Sequence, residues 1–264
     1  MLADTDARYW VRAPRPAGAP AALRLFCFPH AGAGGAIFLD WARFLPSWIE
    51  LVGVQLPGRG QRTREVPLDS VEAIVAGLAQ AFAGERGTPW LFFGHSFGAV
   101  VAYELARRLQ AAGDPGPRGL IVSSCPAPQV EPKRAFLLHE LPRERFFAEL
   151  ARLDGIPAEA HTNRKLQALI EPPLRADVKA RELWGRAVRA QAAPPAPLAI
   201  PIHPLGGDAD RVVTRADLAR WSAYTAEPHE PVLFAGGHFY FQPSPERVTA
   251  AIAHVAATLV DVRG

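Results

Sequence analysis

The sequence predicts an α/β protein with a mostly parallel central sheet and helices on both faces. Three observations carry that class: short apolar runs closed by Gly or Pro, amphipathic stretches of helical period, and alternation of the two from residue 23 onward. The apolar runs are nearly free of charge and continuous rather than alternating, as strands buried on both faces require.

Leu23–Phe28 is the first such run, closed by Pro29, and residues 50–56 are the second, closed by Pro57 and Gly58. Residues 89–93, 119–124, 198–205 and 231–234 continue the series. Between them, Val71, Ile74, Val75, Leu78 and Phe82 recur at helical spacing behind Asp69, which can cap with Glu72 three residues later. Val101, Leu105 and Leu109 repeat at four residues and stop at Gly113, a common residue just past a helix end. Val248, Ile252, Val255 and Leu259 form the last helix, with Ser244 as cap and Pro245 in its first turn.

Residues 131–191 break the alternation. They hold no convincing strand, only charged helical segments such as 143–153 and 163–170, interrupted by Pro157, Pro172 and Pro173. Sixty residues between two strands are too many for a structureless loop, so a helical subdomain is expected there. Residues 192–201, with Pro194, Pro195 and Pro197, read as a stiff return to the sheet.

Composition bounds the partners. The 264 residues allow one large domain or two small ones, and 22 Gly with 26 Pro stay below the share that marks a low-complexity chain. The 29 basic and 26 acidic residues leave a net charge of +3, with only Lys133, Lys165 and Lys179 as lysines, which is no nucleic-acid footprint. Cys27 and Cys125 sit in apolar runs, so a reduced, cytoplasmic chain without a disulfide framework is expected. Asp4 and Asp6 interrupt the N-terminal segment, which therefore does not read as a secretory signal, and no stretch of 18 apolar residues predicts a membrane span.

The strongest chemical signal is Gly94-His95-Ser96-Phe97-Gly98, between an expected strand and an expected helix. A serine on so sharp a turn needs small residues two places before and after it, and the following helix N-terminus supplies backbone N–H groups beside its hydroxyl. Ser96 is the expected nucleophile. A serine hydroxyl needs a base, and the base needs an orienting acid. Of the histidines that follow, His203 falls within a strand and His254 within the last helix, whereas His238 follows residues 231–234 through Gly236 and Gly237. Loops at the carboxyl ends of parallel strands are where such sheets build their sites, so His238 is the expected base. The acid should follow residues 198–205, in Gly206-Gly207-Asp208-Ala209-Asp210. Asp210 is favoured because the two glycines turn the chain and leave it free to reach His238; Asp208 reads as a turn residue.

The loop Pro29-His30-Ala31-Gly32-Ala33-Gly34-Gly35 lacks the Gly-Lys-Ser/Thr of a phosphate loop and the last glycine of a dinucleotide fingerprint. Beside a nucleophile, it can present the Ala31 N–H, which with the Phe97 N–H makes an oxyanion hole. No metal-ligand signature is present in the sequence, and the expected chemistry is acyl transfer without cofactor or metal.

Six blocks, LFCFPHAGAGG from Leu25, VQLPGRGQR from Val54, GHSFGA from Gly94, PPLRAD from Pro172, GGDAD from Gly206 and GGHF from Gly236, together resemble the type II thioesterases of polyketide and non-ribosomal peptide synthases. The resemblance implies an α/β-hydrolase fold with a core of residues 1–130 and 192–264 and a helical lid of residues 131–191. It also implies an editing thioesterase that removes acyl groups from the 4′-phosphopantetheine arm of acyl or peptidyl carrier proteins. The roles it carries over are those already read for Ser96, Asp210, His238, Ala31 and Phe97. Phe97 stands where the family often has Met, which implies an altered acyl-pocket shape. A carboxylesterase, a chain-terminating or cyclising thioesterase, and a non-catalytic synthase-docking module are the rival readings. The last is disfavoured because every triad position is filled.

Overall fold

The computed structural model describes residues 7–14, 21–83, 87–132, 136–153, 156 and 158–260; Asp4, Asp6, Lys133 and Pro157 lie outside them. In chain order the elements are β1 (Trp10–Arg12), β2 (Leu23–Phe28), β3 (Ile49–Val54), α1 (Val71–Phe82), β4 (Trp90–His95), α2 (Phe97–Ala111) and β5 (Leu120–Ser123). They continue as α3 (Arg143–Arg152), α4 (Arg164–Arg189), β6 (Ile202–Gly207), α5 (Arg215–Ala219), β7 (Val232–Phe234) and α6 (Pro245–Leu259). The strands make one sheet in the order β1-β3-β2-β4-β5-β6-β7, parallel throughout except for β1, which pairs antiparallel with β3.

Two apolar layers sandwich that sheet. Phe26, Phe28, Phe92 and Val122 point to one face and pack against α1 and α2, while Leu25, Cys27, Leu91, Phe93 and Ile121 point to the other and pack against α6 and the short 3₁₀ segment Gly35–Arg43. Successive residues of one strand thus serve opposite layers, the reason these strands read as continuous apolar runs. Phe82 sits at the centre of the first layer, with ring centroids 4.7 Å from Phe26, 4.8 Å from Trp10, 5.1 Å from Trp90 and 5.2 Å from Phe92.

The strand order reverses beside β2: the chain leaves it for β3 on one side and returns to β4 on the other. The segments after β2 and β4 therefore lead to opposite faces from the carboxyl end of the sheet, the end at which parallel sheets bind ligands.

Between β5 and β6 lie α3, α4 and two short 3₁₀ turns, with a separate apolar cluster of Leu138, Phe146, Phe147, Leu150, Ile156, Ala160, Leu174 and Val178. The rear half of α4 docks on the core through Ala180 and Trp184, whose indole N–H donates to Glu104 Oε1 at 2.9 Å.

Several sequence expectations need correction. The helix expected to stop before Pro172 runs on through both prolines to Arg189. Proline costs a helix its own N–H bond, so the carbonyls of Ala168 and Leu169 lose their rungs, but tertiary burial of Leu174, Asp177 and Val178 holds the helix together across the gap. Asp69 does not cap α1; Ser70 does, accepting from the Ala73 N–H at 3.1 Å, and Asp69 pairs with Lys179 instead. Ser244 precedes α6 with Pro245 in the first turn, yet its hydroxyl makes no capping bond. The strand expected from residue 198 begins at Ile202; Leu198 makes only an isolated bridge to Thr225. The three-residue β1 is too short to leave a periodic signal.

Phe82→Ala is expected to lower the unfolding free energy by about 3–5 kcal/mol, the usual cost of emptying an aromatic site in a packed core. Denaturant unfolding followed by far-UV circular dichroism checks this, and a loss below about 1 kcal/mol would contradict the central place given to this ring.

Candidate active site

Ser96 occupies the position between β4 and α2, with φ 53° and ψ −117°. Positive φ is strained for a residue with a Cβ, at a cost of order 1–3 kcal/mol, and it lifts the serine out of the surrounding packing. Ser96 is half-buried while its neighbours from Leu91 to Tyr103 are buried. The glycines around it have distinct reasons. A Cβ on Gly94 would collide with the Ala99 backbone, and one on Gly98 would collide with the Phe28 carbonyl and lie 2.6 Å from Pro29 O. Gly98 thus lets the head of α2 touch the end of β2, which brings the loop after β2 beside the serine.

In that loop Ala31 precedes Gly32, whose φ of 78° turns the chain back. The turn closes with Ala33 N–H donating to His30 O at 3.1 Å, and Gly35 N–H donates to Gln55 Oε1 at 3.2 Å. The Ala31 N–H has no acceptor among the described residues, and the Phe97 N–H belongs to the first turn of α2, where the helix offers no partner. Both expected oxyanion donors are therefore left without a protein acceptor among the described residues. The Phe97 side chain itself is buried in the core beside α1.

His238 and Asp210 meet as expected: His238 Nδ1 and Asp210 Oδ2 are 2.9 Å apart, with the two side chains 5% and 1% exposed. The other Asp210 oxygen accepts from the Val212 and Val213 N–H groups at 2.8 and 3.2 Å. Burial by itself raises this carboxyl, but the hydrogen bond and charge of His238 and the Val212 N–H outweigh it and hold it below the usual carboxylate value. Asp208 does a different task. Its Oδ1 accepts from Gly236 N–H at 3.0 Å, so it ties the acid loop to the histidine loop, and neither aspartate caps α5, which Thr214 and Asp217 cap between them. A Cβ on Gly207 would collide with the Gly236 and Gly237 carbonyls, so the two loops lie backbone on backbone. Ser96 and His238 are not hydrogen-bonded to each other among the described residues; such bonds commonly tighten only in the substrate complex.

Two further histidines surround His238. The His95 ring lies 5.1 Å from that of His238, and the His30 ring 5.9 Å from that of His95. Burial, reinforced by the charge of His238, lowers His30 to about 3 and His95 well below the ordinary histidine value. Burial disfavours a proton on either ring, and of these three histidines His238 is the one with a carboxylate partner. His95 Nδ1 instead meets Ser123 Oγ at 2.9 Å, and Ser123 Oγ meets Tyr240 OH at 2.7 Å. That chain links the residue before the serine to the histidine loop.

The structure adds two residues that sequence reasoning left without a role. Arg59 and Asp177, 118 positions apart, form a buried bidentate ion pair, Arg59 Nη2 donating to Asp177 Oδ1 at 3.0 Å and Nη1 to Oδ2. Asp177 Oδ2 also accepts from Gly32 N–H at 2.7 Å. Burial raises the Asp177 carboxyl above its ordinary value, a rise that Arg59 and the Gly32 N–H offset only in part. Both residues fall in blocks of the resemblance, but nothing in their spacing pairs them.

Comparison with known proteins gives the family. The family described as "Thioesterase domain" matches residues 23–259. The gramicidin S biosynthesis protein GrsT of Aneurinibacillus migulanus is 35% identical over 85% of this chain and 85% of its own. Thioesterase PikA5 of Streptomyces venezuelae is 36% identical over 90% of this chain and 82% of its own. The solved structure of BorB, the type II thioesterase from the borrelidin biosynthetic cluster, superposes with a TM-score of 0.79 at 32% identity, covering 93% of this chain and 96% of that one. The chain is an α/β-hydrolase and belongs to the thioesterase family, among the type II thioesterases of polyketide and non-ribosomal peptide synthase pathways.

Proposed function

We propose that this enzyme hydrolyses acyl thioesters carried on the 4′-phosphopantetheine arm of acyl or peptidyl carrier proteins, clearing stalled synthase modules. The observation that carries the reading is the buried His238–Asp210 pair, its imidazole 5.1 Å from the ring of His95, the residue before the strained Ser96 at the head of α2, in a type II thioesterase fold. Ser96 attacks the thioester carbonyl as His238 takes its proton. The Ala31 and Phe97 N–H groups bind the oxyanion, and His238 then protonates the departing pantetheine thiolate. Water repeats the cycle on the acyl-enzyme. Asp210 keeps the His238 Nδ1 proton in place and stabilises the imidazolium. No step calls for a metal or a cofactor.

Residues 131–191 serve as a lid over a core of residues 1–130 and 192–264. Their separate apolar cluster supports this division, and Ala31 packs against that cluster as well as against the main core. A lid that must admit a tethered arm suits a protein-borne substrate better than a free ester. The net charge of +3 is compatible with an acidic carrier partner. Phe97 stands in place of the family's frequent Met with its side chain in the core and its N–H left in place. A cytoplasmic setting accords with the buried free thiols of Cys27 and Cys125, and no helix among the described residues is long and apolar enough to cross a membrane.

Ser96→Ala is expected to reduce deacylation of acyl carrier protein by about 10⁴-fold or more without unfolding the chain. Mass spectrometry of the carrier measures it, and undiminished turnover refutes the assignment. Asp210→Asn is expected to lower kcat by about 10³–10⁴-fold, because the amide favours the wrong imidazole tautomer. Asp208→Asn keeps an acceptor for the Gly236 N–H and should lose less than about tenfold; the reverse order places the acid at Asp208. A faster reaction with a p-nitrophenyl ester than with a carrier-bound acyl group favours the carboxylesterase reading, and a cyclic product favours the chain-terminating one.

A further inference from the structure

The helix α4 reaches the proposed oxyanion loop at two points one turn apart. Leu174 lies over Gly32 so closely that a Cβ on that glycine would stand 3.0 Å from Leu174 Cβ. Three residues on, the fully buried Asp177 carboxylate takes the Gly32 N–H at 2.7 Å. Arg59 holds both oxygens of the same carboxylate and is itself fixed, its Nε donating to Pro57 O at 3.1 Å. The Arg59 carbonyl accepts from Gln55 Nε2 at 2.7 Å, and Gln55 Oε1 accepts from Gly35 N–H. Both ends of the glycine loop are therefore pinned, one by a core side chain and the other by the inserted helix.

The peptide unit that carries the Ala31 N–H also carries the His30 carbonyl, and that carbonyl accepts from the Ala33 N–H, so the Ala31 N–H is aimed by the turn of residues 30–33, which the Gly32 N–H bond to Asp177 anchors from within. The contact of Gly98 with Phe28 and Pro29 fixes the chain just before that turn. The direction of the Ala31 N–H follows from these two constraints. One of them comes from α4, an element that also packs into the separate apolar cluster through Leu174 and Val178.

We propose that Asp177 is a positioning residue that couples seating of the inserted helix to formation of the oxyanion hole, by holding the Gly32 peptide and so aiming the Ala31 N–H. With α4 seated, the hole has two aligned donors; with α4 displaced, the Gly32 N–H loses its acceptor and the Ala31 donor swings away. An arm can then enter while the insertion is open, but its thioester is attacked efficiently only once the helix has closed on the loop. The inference rests on the assignment of Ala31 and Ser96 made above.

The test compares two variants that both remove the buried charge pair. Arg59→Met with Asp177→Asn keeps an oxygen for the Gly32 N–H; Arg59→Met with Asp177→Leu does not. Each is assayed for thermal stability, for kcat and KM on an acyl carrier protein, and for affinity toward a trifluoromethyl ketone analogue of acyl-pantetheine. Ser96 adds to that ketone carbon to give a hemiketal oxyanion, so its affinity reads the hole directly. The leucine pair is expected to lose about 10- to 100-fold in kcat against the asparagine pair, with a matching loss in ketone affinity and KM within about twofold. Arg59→Met with Asp177→Ala replaces the leucine pair should the latter not fold. Equal kcat and ketone affinity in the two variants, or a difference confined to KM or thermal stability, overturns the proposal. A wild-type enzyme that does not bind the ketone, or a Ser96→Ala variant that still turns over, instead overturns the functional assignment on which it rests.

Discussion

Backbone touching backbone at the carboxyl ends of the strands is the constraint on which the site depends. At Gly98 the head of α2 rests on the end of β2, and at Gly207 the acid loop rests on the histidine loop. At each place a single methyl group would force the two segments apart. The chemical groups sit on loops, but their separations are set by these contacts and by the strand register behind them, in which Phe28 lies opposite Gly94 and Gly207 opposite Phe234. Rigid placement of this kind allows a preorganised site, since misplacement by an ångström can cost about a hundredfold in rate.

Two buried aspartates show how differently one side chain can be used. Asp210 is held below its ordinary value, so the stability it adds is present above its unfolded-state value and is lost as pH falls through the folded one. Asp177 is shifted upward by burial in spite of its arginine, so the folded state favours its protonated form relative to the unfolded chain. That contribution to stability is present at low pH and is lost as pH rises through the folded value. A desolvated pair of this sort adds little net stability, yet removing one partner alone typically costs about 3–5 kcal/mol because the other charge is left buried. What the pair provides is geometry: it ties α4, the loop holding Arg59 and the glycine loop to one point.

Most of the architecture was legible in the sequence because a strand buried on both faces leaves a continuous apolar run. The termini of β2 coincide with Leu23 and Phe28, and those of the other predicted strands move by a few residues. The pairing of His238 with Asp210 was legible too, because chain order and the position of loops after strands constrain it. What was not legible depends on contacts across the fold. Ser70 displaces Asp69 as cap because Lys179, 110 residues away, takes the aspartate. Arg59 and Asp177 carried a family signature but no local pattern, and the chain from His95 through Ser123 to Tyr240 joins the ends of β4 and β5 to the histidine loop, which only the sheet brings together.

Pro172 and Pro173 have a mechanical consequence. They fall between the front of α4, with Asn163 capping it, and the rear half docked on the core through Ala180 and Trp184. Two consecutive rungs are missing from the ladder there, so resistance to bending is lowest at that point, and the segment beyond it is a lever with its fulcrum at the prolines. Leu174 and Asp177 lie on the core side of that fulcrum. Flexing at the prolines therefore moves the front of the helix through a wide arc, and because Leu174 and Asp177 lie within about one turn of the pivot, the same flexing loads the bond from the Gly32 N–H to Asp177.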